Sequence, residues 1–334
     1  MDNKSTFVYK LSKFAILLAA TVVLLGAYTR LSDAGLGCPD WPGCYGFASV
    51  PESHAQIKQA EVAFPDHTIV AGKAWREMVH RYFAGTLGLV IALIAVLSIR
   101  RRQLPGQPLA LPVILVILVM FQAALGMWTV TLGLLPIVVM GHLLGGFTTL
   151  SLLFLLFLKL RDNNIPAMPS RLRTLAIIGL VVVITQICLG GWTSANYAAI
   201  ICTDFPTCQG SMIPHLDFSG AFQLHAAGLH DYQGGYLGND ARVTIHWMHR
   251  LGALLTTLYL VFLHVKLMRA GHKKLAILLI VALTIQVSLG ISNVLFSLPL
   301  PVAVAHNGGA ASLLLTMVLI TYTLGRKGSL GPQP

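Results

Sequence analysis

The chain has 334 residues, of which 55% are hydrophobic and only 10% charged, and its mean hydropathy is +0.74. A water-soluble fold of this size would not tolerate that balance, so the composition points to a polytopic membrane protein. The net charge of +11 would fit an acidic partner such as nucleic acid only if the basic residues formed a surface patch, and they do not.

A bilayer core about 30 Å thick is crossed by about 20 apolar residues in a helix. The first run that qualifies, residues 12–31, follows Lys4, Lys10 and Lys13 like the start of a signal peptide. It continues to Tyr28 without a small-residue cleavage site and is read as a retained helix. A polar segment containing Cys38 and Cys44 follows, and then runs at 78–99, 109–130 and 136–158. The fifth run, 174–195, leads into a second polar segment, about 196–241, which is rich in Gly, His and Asp and contains Cys202 and Cys208. Runs at 243–264, 274–295 and 301–323 complete a set of eight.

Lys4, Lys10, Lys13, Arg100, Arg101, Arg102, Lys159, Arg161, Arg171, Arg173, Lys266, Arg269, Lys273, Lys274, Arg326 and Lys327 all fall in alternate connections, which marks that side as cytoplasmic. The opposite side carries the longer loops and most of the acids. Both termini are therefore expected inside, and the basic balance reflects topology, with no nucleic acid as partner.

The two halves of the chain repeat each other. L-G-A-Y-T-R at Leu25 to Arg30, followed by Cys38-P-D-W-P-G-Cys44, is echoed 164 residues later by L-G-G-W-T-S at Leu189 to Ser194 and Cys202-T-D-F-P-T-Cys208. His80 matches His249 and Glu77 matches His246 at an offset of 169, and Gln122, Gly126 and His142 match Gln286, Gly290 and His306 at 164. Two four-helix units, 1–162 and 163–334, are expected, both in the same orientation and related by a pseudo-two-fold axis along the membrane normal.

Seven of the twelve histidines fall in loops or at the cytoplasmic end of the sixth run. His80, His142, His246, His249 and His306 lie inside apolar helices, where an imidazole is by default a functional candidate. His80 and His306 stand 20 residues from the basic residues Arg100 and Arg326, and His142 and His249 stand 17 from Lys159 and Lys266. At 1.5 Å per residue these four lie roughly 25–30 Å from the cytoplasmic face, at one depth. Two imidazoles on facing helices without a third or fourth ligand fit axial ligation of haem better than a closed zinc site. Glycines 85, 88, 141, 145, 146, 252, 308 and 309 leave space beside them. Arg81 and Arg250, each directly after a histidine, are candidate partners for haem propionates.

The segment G-A-Y-T-R-L-S-D-A-G-L-G-C-P-D-W-P-G-C, the E-x-x-H-R of Glu77 to Arg81 and the paired half-repeats resemble the haem A synthases, over residues 12 to 323. The resemblance implies that the C8 methyl of haem O is oxidised to a formyl group, through the hydroxymethyl compound haem I, to give haem A for a terminal oxidase. It also implies that one half binds haem O as substrate and the other a permanent haem b (protohaem IX).

Glu77 lies one turn before His80 on the same helix face, and His246 replaces it in the second half. This asymmetry places the substrate at His80 and His142, with Glu77 as base or charge stabiliser, and haem b at His249 and His306. His249 is preferred to His246 because the family motif puts the ligand immediately before Arg250. Cys38–Cys44 and Cys202–Cys208 are close enough in sequence to be bridged on the outer side, as staples or as a redox relay. Haem O synthase, oxidase assembly factors and a membrane electron acceptor such as quinone are the expected partners in a bacterial inner membrane, and a homo-oligomer is compatible with this. A b-type cytochrome that only relays electrons, or a haem carrier, are the competing readings.

Overall fold

A computed structural model describes residues 3–103, 107–161, 171–226 and 228–325. Its helices are α1 (Asn3–Leu31), α2 (His54–Ala63), α3 (Ala71–Arg100), α4 (Ala110–Thr131), α5 (Pro136–Arg161), α6 (Arg171–Ala195), α7 (Phe218–Ala221), α8 (Asn239–Arg269), α9 (Lys273–Leu295) and α10 (Leu300–Leu324). Eight of these, all but α2 and α7, are long and apolar enough to cross a membrane, and they coincide with the eight runs read from sequence. The chain is a multi-pass membrane protein. Arg326, Lys327 and the expected boundary between 162 and 163 lie outside the described residues.

Helix α1 packs against α3 and α5, and α4 against the same two, so these four helices close a ring in which α3 and α5 stand on a diagonal. Helices α6, α8, α9 and α10 close a second ring, with α8 and α10 on its diagonal. The rings meet through α1 with α10, α5 with α6 and α5 with α10. A continuous leucine-rich core joins them at the end away from the cysteines, where Leu153, Leu156, Leu263, Leu267, Leu279 and Ile320 are fully buried. There the side chains interdigitate, as they must where lipid gives helices no hydrophobic reason to associate.

At the other end the chain leaves helical geometry, and it does so in the same way in both halves. Asp33 and Tyr197, Tyr45 and Gln209, Gly46 and Gly210, and Leu134 and Leu298 take matching left-handed backbone conformations. Asp40 accepts from the amides of Tyr45 and Gly46, and Asp204 from those of Gln209 and Gly210. A hydrogen bond from the Thr207 hydroxyl, together with those from the amides, holds the Asp204 carboxyl well below its usual range. Cys38–Cys44 and Cys202–Cys208 are disulfides, each with Cα atoms 4.8 Å apart.

The long segment between α6 and α8, for which the sequence offered no chemistry, crosses to the first ring. Tyr232 donates its amide to the Gly133 carbonyl at 2.8 Å, and Gln233 Nε2 reaches Asp33 Oδ2 at 2.9 Å. Lys73 Nζ meets the same carboxylate oxygen at 3.0 Å. Burial works against ionisation of Asp33, but the Gln233 hydrogen bond and the Lys73 ammonium outweigh it and hold the carboxyl below its ordinary value. A depressed folded-state pKa contributes docking energy above the ordinary value of 3.8 and loses it as pH falls through the folded value. Amide exchange over residues 228–236, corrected for its intrinsic rate, should therefore be constant from neutral pH to about 5 and accelerate below about 4. Asp33→Asn should exchange at the faster rate throughout.

Candidate functional site

The four histidines matched by the repeat occupy the diagonal helices: His80 on α3, His142 on α5, His249 on α8 and His306 on α10. Each ring lies over a glycine of an adjacent helix. A Cβ at Gly26 would stand 2.9 Å from His80 Cε1, one at Gly190 3.0 Å from His249, one at Gly290 3.1 Å from His306 and one at Gly126 3.3 Å from His142. A side chain at Gly26 would collide with its imidazole, and one at any of the other three would press on the ring more tightly than ordinary contact allows. Of these four glycines the sequence singled out Gly126 and Gly290, and only as markers of the repeat; their common part as ring seats needs the register of neighbouring helices.

His80 and His142 face each other across the first ring with centroids 6.4 Å apart and planes at 86°. Two metal–nitrogen bonds of about 2 Å, with half an imidazole at either end, add up to a separation of this order. His249 and His306 are near enough to interact electrostatically. The Nδ1 atoms of His80, His142 and His306 are buried without a hydrogen-bond partner, whereas His249 Nδ1 lies 3.0 Å from Gln186 Nε2. Among the described residues no three His, Cys, Asp or Glu side chains converge as a closed metal site requires. Paired imidazoles, each seated on a glycine of the neighbouring helix, fit a planar macrocycle held from both faces.

Glu77, one turn above His80, is 5% exposed. Its Oε1 pairs with Arg81 Nη2 at 2.5 Å and its Oε2 accepts the Cys38 amide at 3.0 Å. Arg81 Nη1 donates to the carbonyls of Asp40 and Gly43, at 2.9 and 2.5 Å. The disulfide loop is thus tied to α3 through one guanidinium and one carboxylate. In the second half Arg250 donates to the carbonyls of Cys202, Asp204 and Thr207 at 2.7–2.8 Å, and its Nε reaches His246 Nε2 at 3.2 Å. His246, in the place of Glu77, is bound to this arginine, while His249 occupies the glycine seat. The contacts of Arg81 and Arg250 run to loop carbonyls, a role the sequence reading did not foresee. Cys188, in α6, is free.

A family model described as cytochrome oxidase assembly protein (COX15-CtaA) matches residues 10–318. The chain is 50% identical over 323 residues to the heme A synthase of Shewanella oneidensis, covering 96% of this chain and 97% of that protein. It is 28% identical to the heme A synthases of Caulobacter vibrioides, over 91% and 92% of the two chains, and of Paracoccus denitrificans, over 90% and 83%.

Removing one partner of a buried pair leaves the other charged and unsatisfied, at a cost of about 3–5 kcal/mol. Arg81→Leu should therefore lower the thermal stability of the detergent-solubilised protein markedly, and also orphan the loop carbonyls. Glu77→Gln, which keeps an acceptor for the Cys38 amide, should cost less. Equal losses from the two substitutions would contradict this account of the loop.

Proposed function

Because the chain belongs to the COX15-CtaA family of cytochrome oxidase assembly proteins, we propose that it is a haem A synthase, an enzyme that oxidises the C8 methyl of haem O to the formyl group of haem A. The observation that carries this reading is the His80–His142 pair, two imidazoles 6.4 Å apart across a four-helix ring, in a chain half identical to a protein named for that activity.

The first half, 1–162, takes haem O as substrate between His80 and His142. The second half, 163–334, holds haem b between His249 and His306, in a bundle related to the first by a pseudo-two-fold axis along the membrane normal, with both termini cytoplasmic. When bound there, haem b would supply one-electron chemistry, with a membrane acceptor such as quinone as the expected partner.

The protein's own residues bind, orient and shield. The histidines fix the plane of each macrocycle, and the apolar helices exclude water from the reacting edge. Glu77, buried beside His80, is a carboxylate close to where the methyl loses its hydrogens, placed to take a proton or to stabilise developing positive charge. Its hydrogen bonds from Arg81 and Cys38 hold it in one orientation. The second half, with His246 at that position, has no acid to do this. Arg81 and Arg250 stand at the outer rim, where haem propionates would share their donors with the loop carbonyls. Haem O synthase is the expected supplier and an oxidase assembly factor the expected recipient.

Cells that co-produce haem O with the wild-type chain should yield haem A on extraction and mass analysis, and the Glu77→Ala variant should leave most of it as haem O. Untouched haem O in the presence of a wild-type chain with a bis-imidazole spectrum would favour an electron-relaying b-type cytochrome.

A further inference from the structure

A second glycine lies beside three of the four histidines. A Cβ at Gly145, Gly252 or Gly309, each three residues after its histidine, would collide with the side-chain amide of Gln122, Gln186 or Gln286. These glutamines precede the ring-bearing glycines Gly126, Gly190 and Gly290 by four residues. Q-x-x-x-G on one helix thus meets H-x-x-G on the next, and the amide fills the slot that the second glycine leaves open. In the second half it reaches the rings themselves. Gln186 Nε2 lies 3.0 Å from His249 Nδ1 and donates to the His249 carbonyl at 3.0 Å, and Gln286 Nε2 lies 3.4 Å from His306 Nε2. Partners behind a metal-binding imidazole fix its orientation and tighten its hold.

His80 is the exception. It keeps its seat on Gly26, but Val22 stands where the others have glutamine, and Phe83 where the others have the second glycine. Both members of the pair are missing together, as packing demands, because the amide needs the space that a side chain at residue 83 takes. The Val22 side chain offers the ring no polar atom, so His80 lacks the side-chain amide that stands beside the other three imidazoles.

We infer that Gln186 is a positioning residue that locks the His249 imidazole, and that the Val22–Phe83 substitution makes His80 the ligand that lets go, so that the first site exchanges its macrocycle while the second retains it. This rests on the haem reading above and adds a device to it. A site that hands on a product must open once per turnover, whereas a relay site gains nothing by opening.

The test is transfer of haem from the full-length detergent-solubilised protein, loaded with haem O and haem b, to excess apomyoglobin, with the two haems told apart by their reduced pyridine spectra. Wild type should lose haem O faster than haem b. Val22→Gln combined with Phe83→Gly should slow haem O loss about tenfold, the lower end of what partners behind a ligand are worth. Gln186→Leu should speed haem b loss by a similar factor and shift its reduction potential, and Gln186→Asn, too short to reach the ring, should behave like Gln186→Leu. If the double variant takes up no haem, the Gln186 pair decides alone. Transfer rates and potential unchanged in Gln186→Leu, with its bis-imidazole absorption intact, would overturn the inference. A wild-type protein with no bis-imidazole absorption would remove the haem reading beneath it.

Discussion

An imidazole ring buried inside a four-helix ring has room only if the neighbouring helix gives up a side chain. At four places this chain does so, with Gly26, Gly126, Gly190 and Gly290 each lying under a histidine ring. Everything else about the site depends on that contact. It fixes how closely the helices approach, which direction each ring points, and that His80 and His142 meet across the bundle instead of turning into lipid. An unsatisfied imidazole nitrogen is costly in an apolar interior, and His80, His142 and His306 each bury one.

The outer rim is built to keep that arrangement rigid. In each half an arginine directly after a glycine-seated histidine reaches out and gathers the carbonyls of a disulfide-closed loop. The loop is thereby fastened over the end of the helix that carries that histidine. The segment between α6 and α8 then crosses the top of the molecule to Asp33 and Gly133, coupling the two halves on the side where the histidines lie. The halves diverge within this shared frame: Glu77 against His246, and Val22 with Phe83 against Gln186 with Gly252. Both differences surround His80, which makes the first half the chemically distinct one.

Much of this was legible in the sequence because it depends on composition and spacing. The eight spans follow from apolar runs, the repeat from the 164-residue offset, and the common depth of the histidines from their distance to the basic ends. What was not legible depends on register between helices. Gln186 was passed over because its meaning lies in Gly252, which is 66 residues away and is a neighbour only once α6 and α8 are packed. The sequence shows an arginine beside a histidine, which suggests a propionate partner, but it does not show the disulfide loop folding back over Arg81. The crossing of the long segment escaped notice for the same reason, since Gln233 and Asp33 are 200 residues apart.

The central claim is that four histidines act as two pairs, one macrocycle to each half. The most direct test is low-temperature electron paramagnetic resonance of the purified protein, with iron quantified per chain, for the wild type and the four single His→Ala variants. The account predicts that His80→Ala and His142→Ala each abolish the same low-spin signal and leave the other intact, and that His249→Ala and His306→Ala do the reverse. If any one variant removes both signals, or leaves both at full intensity, the pairing is wrong.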